Sequence, residues 1–475
     1  MKLLLNSALK QSLLYGGSIA LMKGVSLLIL PFIAHQLSTA EFGRLEVIST
    51  LAIIGSILVG MGLEDTLFRF AGSAENKQQR AHIAAQIYSL TLLITLISLI
   101  FGWLGASTIA TWIPGNPSIY EVRLVLCVLA LEGCIAIPLG WLRMNNHALS
   151  FFIASSGRAL VQAMLVVALL YFGRGVAGIL EAGLIAAIMQ TLLLCYLQLR
   201  DTGLAFELQT GKRAFIYSLP IVASGLVAFA LNGLDRWILA EHSSLADVAE
   251  FGIAAKFALA TVLLLQPFGM WWSPRRFTVL NARGGAQKVA RFSAMGAALA
   301  ILIATLVALL CPTLISTLLP DSYTDAGQYA LALVLVMLLK ELVELFNIGC
   351  FTGKTTSCQF MINLLAALIG IAGMLVLTPE YQVWGIIYAL LTAQSLRLLL
   401  FYHASQYFLP LNYPIRDLLK LAMLAIISLA LGAQVESLGQ LSLVVIGAAI
   451  ALLAAAHHLK LLSLPFTLRS KALSQ

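Results

Sequence analysis

Apolar runs of about twenty residues recur from one end of this chain to the other. Fourteen can be marked, at approximately 12–34, 43–63, 83–105, 122–142, 150–172, 175–196, 216–239, 251–272, 292–316, 329–352, 357–378, 383–404, 417–435 and 441–458. About twenty residues at 1.5 Å rise match a hydrocarbon core of about 30 Å, so each run has the length of a transmembrane helix. Runs such as "IYSLTLLITLISLIFGWLG" (87–105) are apolar on every side, whereas a membrane strand would alternate apolar and polar residues. The pattern therefore predicts an all-α polytopic membrane protein with about 14 transmembrane helices. Lys2 and Lys10 precede the first run as in a signal peptide, but the run continues to Ala34 without a small-residue cleavage pattern, so it is read as the first span.

Charge gives the helices a direction. With the N-terminus in the cytoplasm, the inner loops receive Lys2, Lys10, Arg69, Lys77, Arg80, Arg143, Arg200, Lys212, Arg213, Arg275, Arg276, Arg283, Lys288, Arg291, Lys354, Arg416, Lys420, Lys460, Arg469 and Lys471. The outer loops receive only Arg44, Arg123 and Arg174. By the positive-inside rule both termini face the cytoplasm, and the net charge of +8 is explained without a nucleic-acid partner. Composition agrees: 60% of residues are hydrophobic and 11% charged, against roughly a quarter charged in soluble domains. No loop is long enough to fold alone, and there is no Asp-x-Asp, Gly-rich phosphate cradle or His-Glu-x-x-His, which argues against an enzyme and leaves no catalytic residue to assign. The six cysteines are scattered without Cys-x-x-Cys spacing, so neither a metal site nor a disulfide framework is expected.

The chain repeats itself. "AEFG" opens the second span at 40–43 and the eighth at 249–252, and "TIATWIP" before the fourth span parallels "LISTLLP" before the tenth. Two lobes of six spans follow, with an even number placing both in the same direction about an axis along the membrane normal and a cavity between them. The expected division is 1–205 (spans 1–6), 206–410 (spans 7–12) and 411–475 (spans 13–14 and a cytoplasmic tail).

Six basic residues remain inside spans: Lys23, Arg158, Arg236, Lys256, Lys340 and Arg397. Each costs about 2.5–3.5 kcal/mol at a helix centre on insertion scales, so such residues usually face a polar interior. Lys23 lies mid-span and Arg158 about two turns in. Arg236, Lys256 and Arg397 lie nearer a boundary, where long side chains also have the option of reaching water. Lys340 is four residues from Glu344, a spacing that suits a local ion pair. The acids inside spans are Glu46, Glu132, Glu181 and Asp235, together with Glu341 and Glu344 beside Lys340. Glu132, Asp235, Glu341 and Glu344 are candidates for a gate or a coupling-cation site, with a buried hydrogen-bonded carboxyl as the plainer alternative. The first span carries a lysine and no carboxylate, which favours an anionic cargo over a cationic drug. Pro31, Pro138, Pro220 and Pro267 fall in or beside spans, where each removes a backbone hydrogen bond and favours a bend.

The stretch "SLPIVASGLVAFALNGLDRWILA" (218–240), preceded by a basic loop and followed by "AEFG", resembles the seventh span of polysaccharide flippases; "LSTAEFGRLEVI" (37–48) and "LPDSY" (319–323) fit the same pattern. The chain thus resembles the Wzx-type polysaccharide flippases, which move O-antigen repeat units in lipopolysaccharide synthesis, of the multidrug/oligosaccharidyl-lipid/polysaccharide (MOP) exporter superfamily. That resemblance implies alternating-access translocation of an isoprenoid-diphosphate-linked oligosaccharide across a bacterial inner membrane. It implies no cofactor beyond H+ or Na+ coupling, and the bilayer and a polysaccharide polymerase as partners. A cation-coupled drug or metabolite exporter and a cell-wall precursor flippase are the competing readings. The six basic residues would meet the diphosphate, and spans 13 and 14, nearly uncharged between Lys420 and Lys460 apart from Glu436, would cradle the isoprenoid. Adjacent helical residues point about 100° apart, so Asp235 and Arg236 are not expected to pair. Asp235 is expected to meet a base such as Lys256, and Arg236 to face the cavity mouth or lipid headgroups.

Overall fold

The structure, a computed structural model, describes residues 2–60, 62–230, 233–352, 357–435 and 437–462. Lys354, Glu436, Arg469 and Lys471 lie outside these, as do the side chains of Lys2 and Lys10. Among the described residues every regular element is helical, and the described part of each of the fourteen apolar ranges lies mainly on helix. Ten helices are long and apolar enough to cross a membrane by length and composition. The seventh, tenth and thirteenth expected spans are not among these ten: the seventh is broken between two helices, α13 (Ala326–Phe346) carries Lys340, Glu341 and Glu344, and α15 (Ile415–Gly432) carries Arg416, Asp417 and Lys420; the eleventh and twelfth run together as one helix.

The chain divides into two compact units, 1–249 and 250–475. The first holds α1 (Lys2–Gln36), α2 (Thr39–Gly60), α3 (Leu63–Gly72), α4 (Lys77–Trp112), α5 (Ile119–Met144), α6 (Ala148–Tyr171), α7 (Gly175–Thr202), α8 (Leu208–Ala230), α9 (Leu234–His242) and the start of α10 (Leu245–Trp272). Helix α5 is its centre, packed by α2, α3, α4, α6 and α7, while α1 lies against α6. Helix starts follow local chemistry. Asn76 accepts a hydrogen bond from the Gln79 N–H at 2.8 Å, and Ser118 and Glu121 form a reciprocal capping box, each satisfying amides that a first turn leaves without a partner. The break between α2 and α3 is set by Gly62, whose left-handed backbone (φ 59°) glycine adopts without a Cβ penalty.

The second unit holds α11 (Arg276–Leu280), α12 (Gly285–Leu318), α13, α14 (Ser357–Phe408), α15 and α16 (Leu438–His458), with 3-10 turns at Asp321–Tyr323 and Ile348–Phe351. Helix α14 is a hairpin of two spans turned at Gln382 (φ 51°), and its arms close on glycines: a Cβ on Gly373 would lie 3.0 Å from Ala389 and one on Gly385 2.4 Å from the Leu377 carbonyl oxygen. The extra helices α15 and α16 pack on α12, where Ala294, Ala297, Ala298 and Ile301 meet Leu421, Ala425, Leu452 and Ala456. Small residues on α12 let these helices approach closely, the usual device where no hydrophobic force separates helix from lipid. Their outward faces expose Met423, Ile426, Ile446 and Ile450, as bilayer-facing surfaces do.

The seventh span, first of the second sequence lobe, is α8 and α9, and both pack within the first unit, on α2, α3 and α4. The link into α8 is tied to α4. Ser89 Oγ accepts from the Ala205 N–H (3.2 Å), and Glu207 accepts from Thr210 Oγ1 (2.6 Å) and Gln86 Nε2 (2.9 Å). The Thr210 hydrogen bond, with help from Gln86 and nearby Arg213 and His82, holds the Glu207 carboxyl below its usual range. A depressed folded pKa gives stability that is present above the ordinary glutamate value of about 4.3 and lost as pH falls through the folded value. Protease cleavage in 203–207 should therefore rise only below that range, and Glu207→Gln should flatten the profile.

Candidate functional site

A cavity of about 290 Å³ opens where α2 gives way to α3, walled by α5 and α8. Three carboxylates line it: Glu64 and Asp65 on α3 and Glu132 on α5. Two are compensated. Arg158 on α6 donates from Nη2 to Glu132 Oε1 (3.2 Å) and from Nη1 to Gln190 Oε1 (3.1 Å), and Gln190 Nε2 donates to the Ala154 carbonyl (3.2 Å). That last bond orients the Gln190 amide, so its oxygen is presented to the guanidinium. Arg143, at the end of α5, pairs with Glu64 and lies over the Phe68 ring at 5.2 Å. Asp65 is exposed. The wall thus offers carboxylate acceptors for hydroxyl or amino hydrogens, with two guanidiniums close behind them.

The second unit holds a separate polar chain. Arg397 donates from Nε to Asn363 Oδ1 (2.8 Å) and from Nη1 to Gln394 Oε1 (3.4 Å), and its Nη2 pairs with Glu344 at 3.5 Å. Glu344 also accepts from Asn347 Nδ2 (3.1 Å), and Asn347 Oδ1 accepts from Arg276 Nη1 (3.1 Å). Arg276 lies over the Phe351 ring at 4.5 Å. Lys340 and Glu341 are half-buried one turn back on α13. Glu344 serves Arg397 and Asn347, because the hairpin arm brings a guanidinium to the same face and its planar fork can donate to several acceptors at once.

The largest correction is at Asp235 and Arg236. Asp235 Oδ1 accepts from both the Arg236 backbone N–H (2.8 Å) and Arg236 Nη1 (3.2 Å), and Arg236 Nε donates to Glu46 Oε2 (3.1 Å). The adjacent residues do pair. Asp235 stands in the first turn of α9, where amides lack an intrahelical acceptor, so its carboxylate folds back and the long arginine side chain returns to meet it. Arg236 is half-buried between two carboxylates. Lys23 is exposed on α1, and Lys256 is half-buried on α10 in the second unit.

Sequence reasoning placed Glu132 and Arg158 but missed Glu64, Asp65, Gln190 and the cavity role of Arg143. The acids sit beyond the end of the second apolar run, where they read as loop residues, and nothing local announces Gln190. Arg44, Arg123 and Arg174, the three arginines expected in outer loops, are each engaged in the first unit: by Glu121 at 3.3 Å, over the Trp103 ring at 4.4 Å, and by Glu181.

Long apolar helices in this arrangement, carrying arginine–carboxylate pairs, define a multi-pass membrane protein. The chain matches the polysaccharide biosynthesis protein family over residues 8–277 and belongs to that family. Its fold is that of MOP superfamily transporters. It is similar to the lipid II flippase MurJ in an inward closed conformation, with a TM-score of 0.73 at 13% identity, covering 95% of this chain and 99% of that one. It is also similar to an inward-facing multidrug resistance MATE family transporter of the MOP superfamily, with a TM-score of 0.57 at 15% identity over 83% of this chain and 95% of the other. A MATE structure in a straight conformation gives a TM-score of 0.55 at 13% identity over 85% and 96%. No curated protein sequence matches the chain.

Proposed function

We propose that this protein is a flippase that carries an isoprenoid-diphosphate-linked oligosaccharide repeat unit, of O-antigen or a related surface polysaccharide, from the cytoplasmic to the periplasmic leaflet. The observation that carries the reading is the family match over residues 8–277 on a fold similar to a lipid II flippase. Arginines held inside apolar helices support it, since a diphosphate crossing a low-dielectric interior needs cationic partners. In this reading the two sequence lobes, 1–205 and 206–410, alternate access, and residues 411–475 receive the lipid tail. The chain sits in the bacterial inner membrane with both termini cytoplasmic and delivers its cargo to a polymerase. Arg158 and Arg397 are its diphosphate partners, each exchanging a carboxylate for phosphate.

Mass spectrometry of isoprenoid-linked glycans in depleted cells is the test. A complete repeat unit accumulating on the cytoplasmic side is expected, and unchanged lipid-linked glycans would overturn the reading. Arg158→Gln and Arg397→Gln are each expected to reduce flux about tenfold or more by removing a charge-assisted donor pair. Arg158→Lys should retain part of the flux, because it keeps the charge and loses the fork.

A second reading draws on the carboxylate-lined cavity. Glu64, Asp65 and Glu132 would suit a cationic cargo, making the protein an exporter coupled to H+ or Na+. Substrate-stimulated cation flux in proteoliposomes, with glycan pools unchanged, would favour it.

A further inference from the structure

The seventh span is built in two pieces that are attached to the first unit differently. The inner piece, α8, is interlocked with α2 and α3. Thr66 Oγ1 and Ser218 Oγ share a buried hydrogen bond at 3.1 Å, a Cβ on Gly62 would lie 3.0 Å from Ile221, and one on Gly225 would lie 2.9 Å from Ile57. Glycine faces packed this closely leave no room for sliding.

The outer piece, α9, is nine residues long and sits between two non-helical joints. Gly233 ahead of it is irregular (φ −151°, ψ −30°), and a Cβ there would fall 2.1 Å from the Phe229 ring, which would have to shift to admit it. Behind it the Ser243–Ser244 turn is held to α10, where Asp247 Oδ2 accepts from the Ser244 N–H (3.1 Å) and Ser244 Oγ (2.8 Å). Between the joints, α9 meets α2 through two adjacent residues on each side. Arg236 bridges to Glu46, and Trp237 Nε1 donates to the Val47 carbonyl at 3.1 Å. Leu239, one turn on, is fully buried.

We propose that α9 is a strap, hinged at Gly233 and clasped to α2 by Arg236, and that its release uncovers the α2–α9 seam on the periplasmic side. The direction of opening rests on the topology proposed above, whereas the clasp and hinge do not. A charged clasp suits a strap of this kind. The half-buried guanidinium keeps the seam shut until an anion competes for it, and the interlocked α8 stays in place as the fixed end.

The test places a cysteine at Leu239 in the full chain and follows labelling by a membrane-impermeant maleimide added from the periplasmic side, resolved by peptide mass spectrometry. L239C is expected to react slowly, and adding Glu46→Gln is expected to accelerate it at least about tenfold, since a charge-assisted bond is lost. The native buried Cys134 on α5 reports folding and should not change. Should Cys134 accelerate as well, Arg236→Lys, which keeps the charge and loses the fork, is read in place of Glu46→Gln, with an intermediate rate expected. Labelling of L239C that is equal in the parent and in both clasp variants would overturn the strap. Labelling from the cytoplasmic side only would overturn its periplasmic opening. None of these readouts requires glycan cargo, so the strap and the flippase reading fail separately.

Discussion

Arg236→Met is expected to destabilise the protein by about 3–5 kcal/mol, the cost typical of removing one partner from a buried ion pair. The side chain lies between Glu46 and Asp235, both of them buried. Methionine fills much of the same space, so the penalty comes from two carboxylates left without a cation in a low-dielectric environment. Thermal unfolding of the detergent-purified protein measures it. A double-mutant cycle identifies the cause: Glu46→Gln added to Arg236→Met should cost less than the sum of the two single changes, since it removes one stranded charge. Additive costs would mean that Arg236 acts through packing alone.

Gly43→Ala is expected to be as damaging although it adds one methyl group. Gly43 closes the first "AEFG" at the head of α2, and a Cβ there would sit 1.8 Å from the Leu245 carbonyl oxygen and 2.7 Å from its carbon, at the head of α10. Both atoms are backbone, so no rotamer relieves the clash and the helix heads must separate. Overpacking usually costs about 1–3 kcal/mol, and a backbone collision belongs at or above the top of that range. Gly157→Ala on α6 is the control, because nothing lies within 4 Å of its Cβ position. It should be neutral or gain up to about 1 kcal/mol through helix propensity. Abundance in the membrane and unfolding temperature should separate the two; equal behaviour would mean that the heads of α2 and α10 move apart freely.

The repeat that flagged "AEFG" is thus explained physically for its first copy, although the sequence showed only that four letters recur. The same holds across the candidate site. Arg158 and Arg397 were legible as anomalies because a cation in an apolar run is costly wherever it is found. Their partners were not. Arg158 meets Glu132 and Gln190 from two other helices, and Arg236 meets Glu46 from 190 positions away. Asp235 and Arg236 were read as ideal helix neighbours, but the first turn of a helix has free amides that draw a carboxylate back.

What the sequence determined by itself was the set of helices and, through charge, an expected orientation. Span length is fixed by bilayer thickness, and the apolar run that meets it is a local property of consecutive residues. What only the tertiary structure decided was which helices are neighbours: α5 and α12 at the centres of their units, the seventh span packed in the first unit, and a cavity assembled from α2, α3, α5 and α8. Helices that are apolar on all sides carry no pattern stating which face meets which partner. That choice falls to glycine contacts such as Gly43 on Leu245 and Gly62 on Ile221, and to pairs such as Arg236 with Glu46, which exist only once distant segments are brought together.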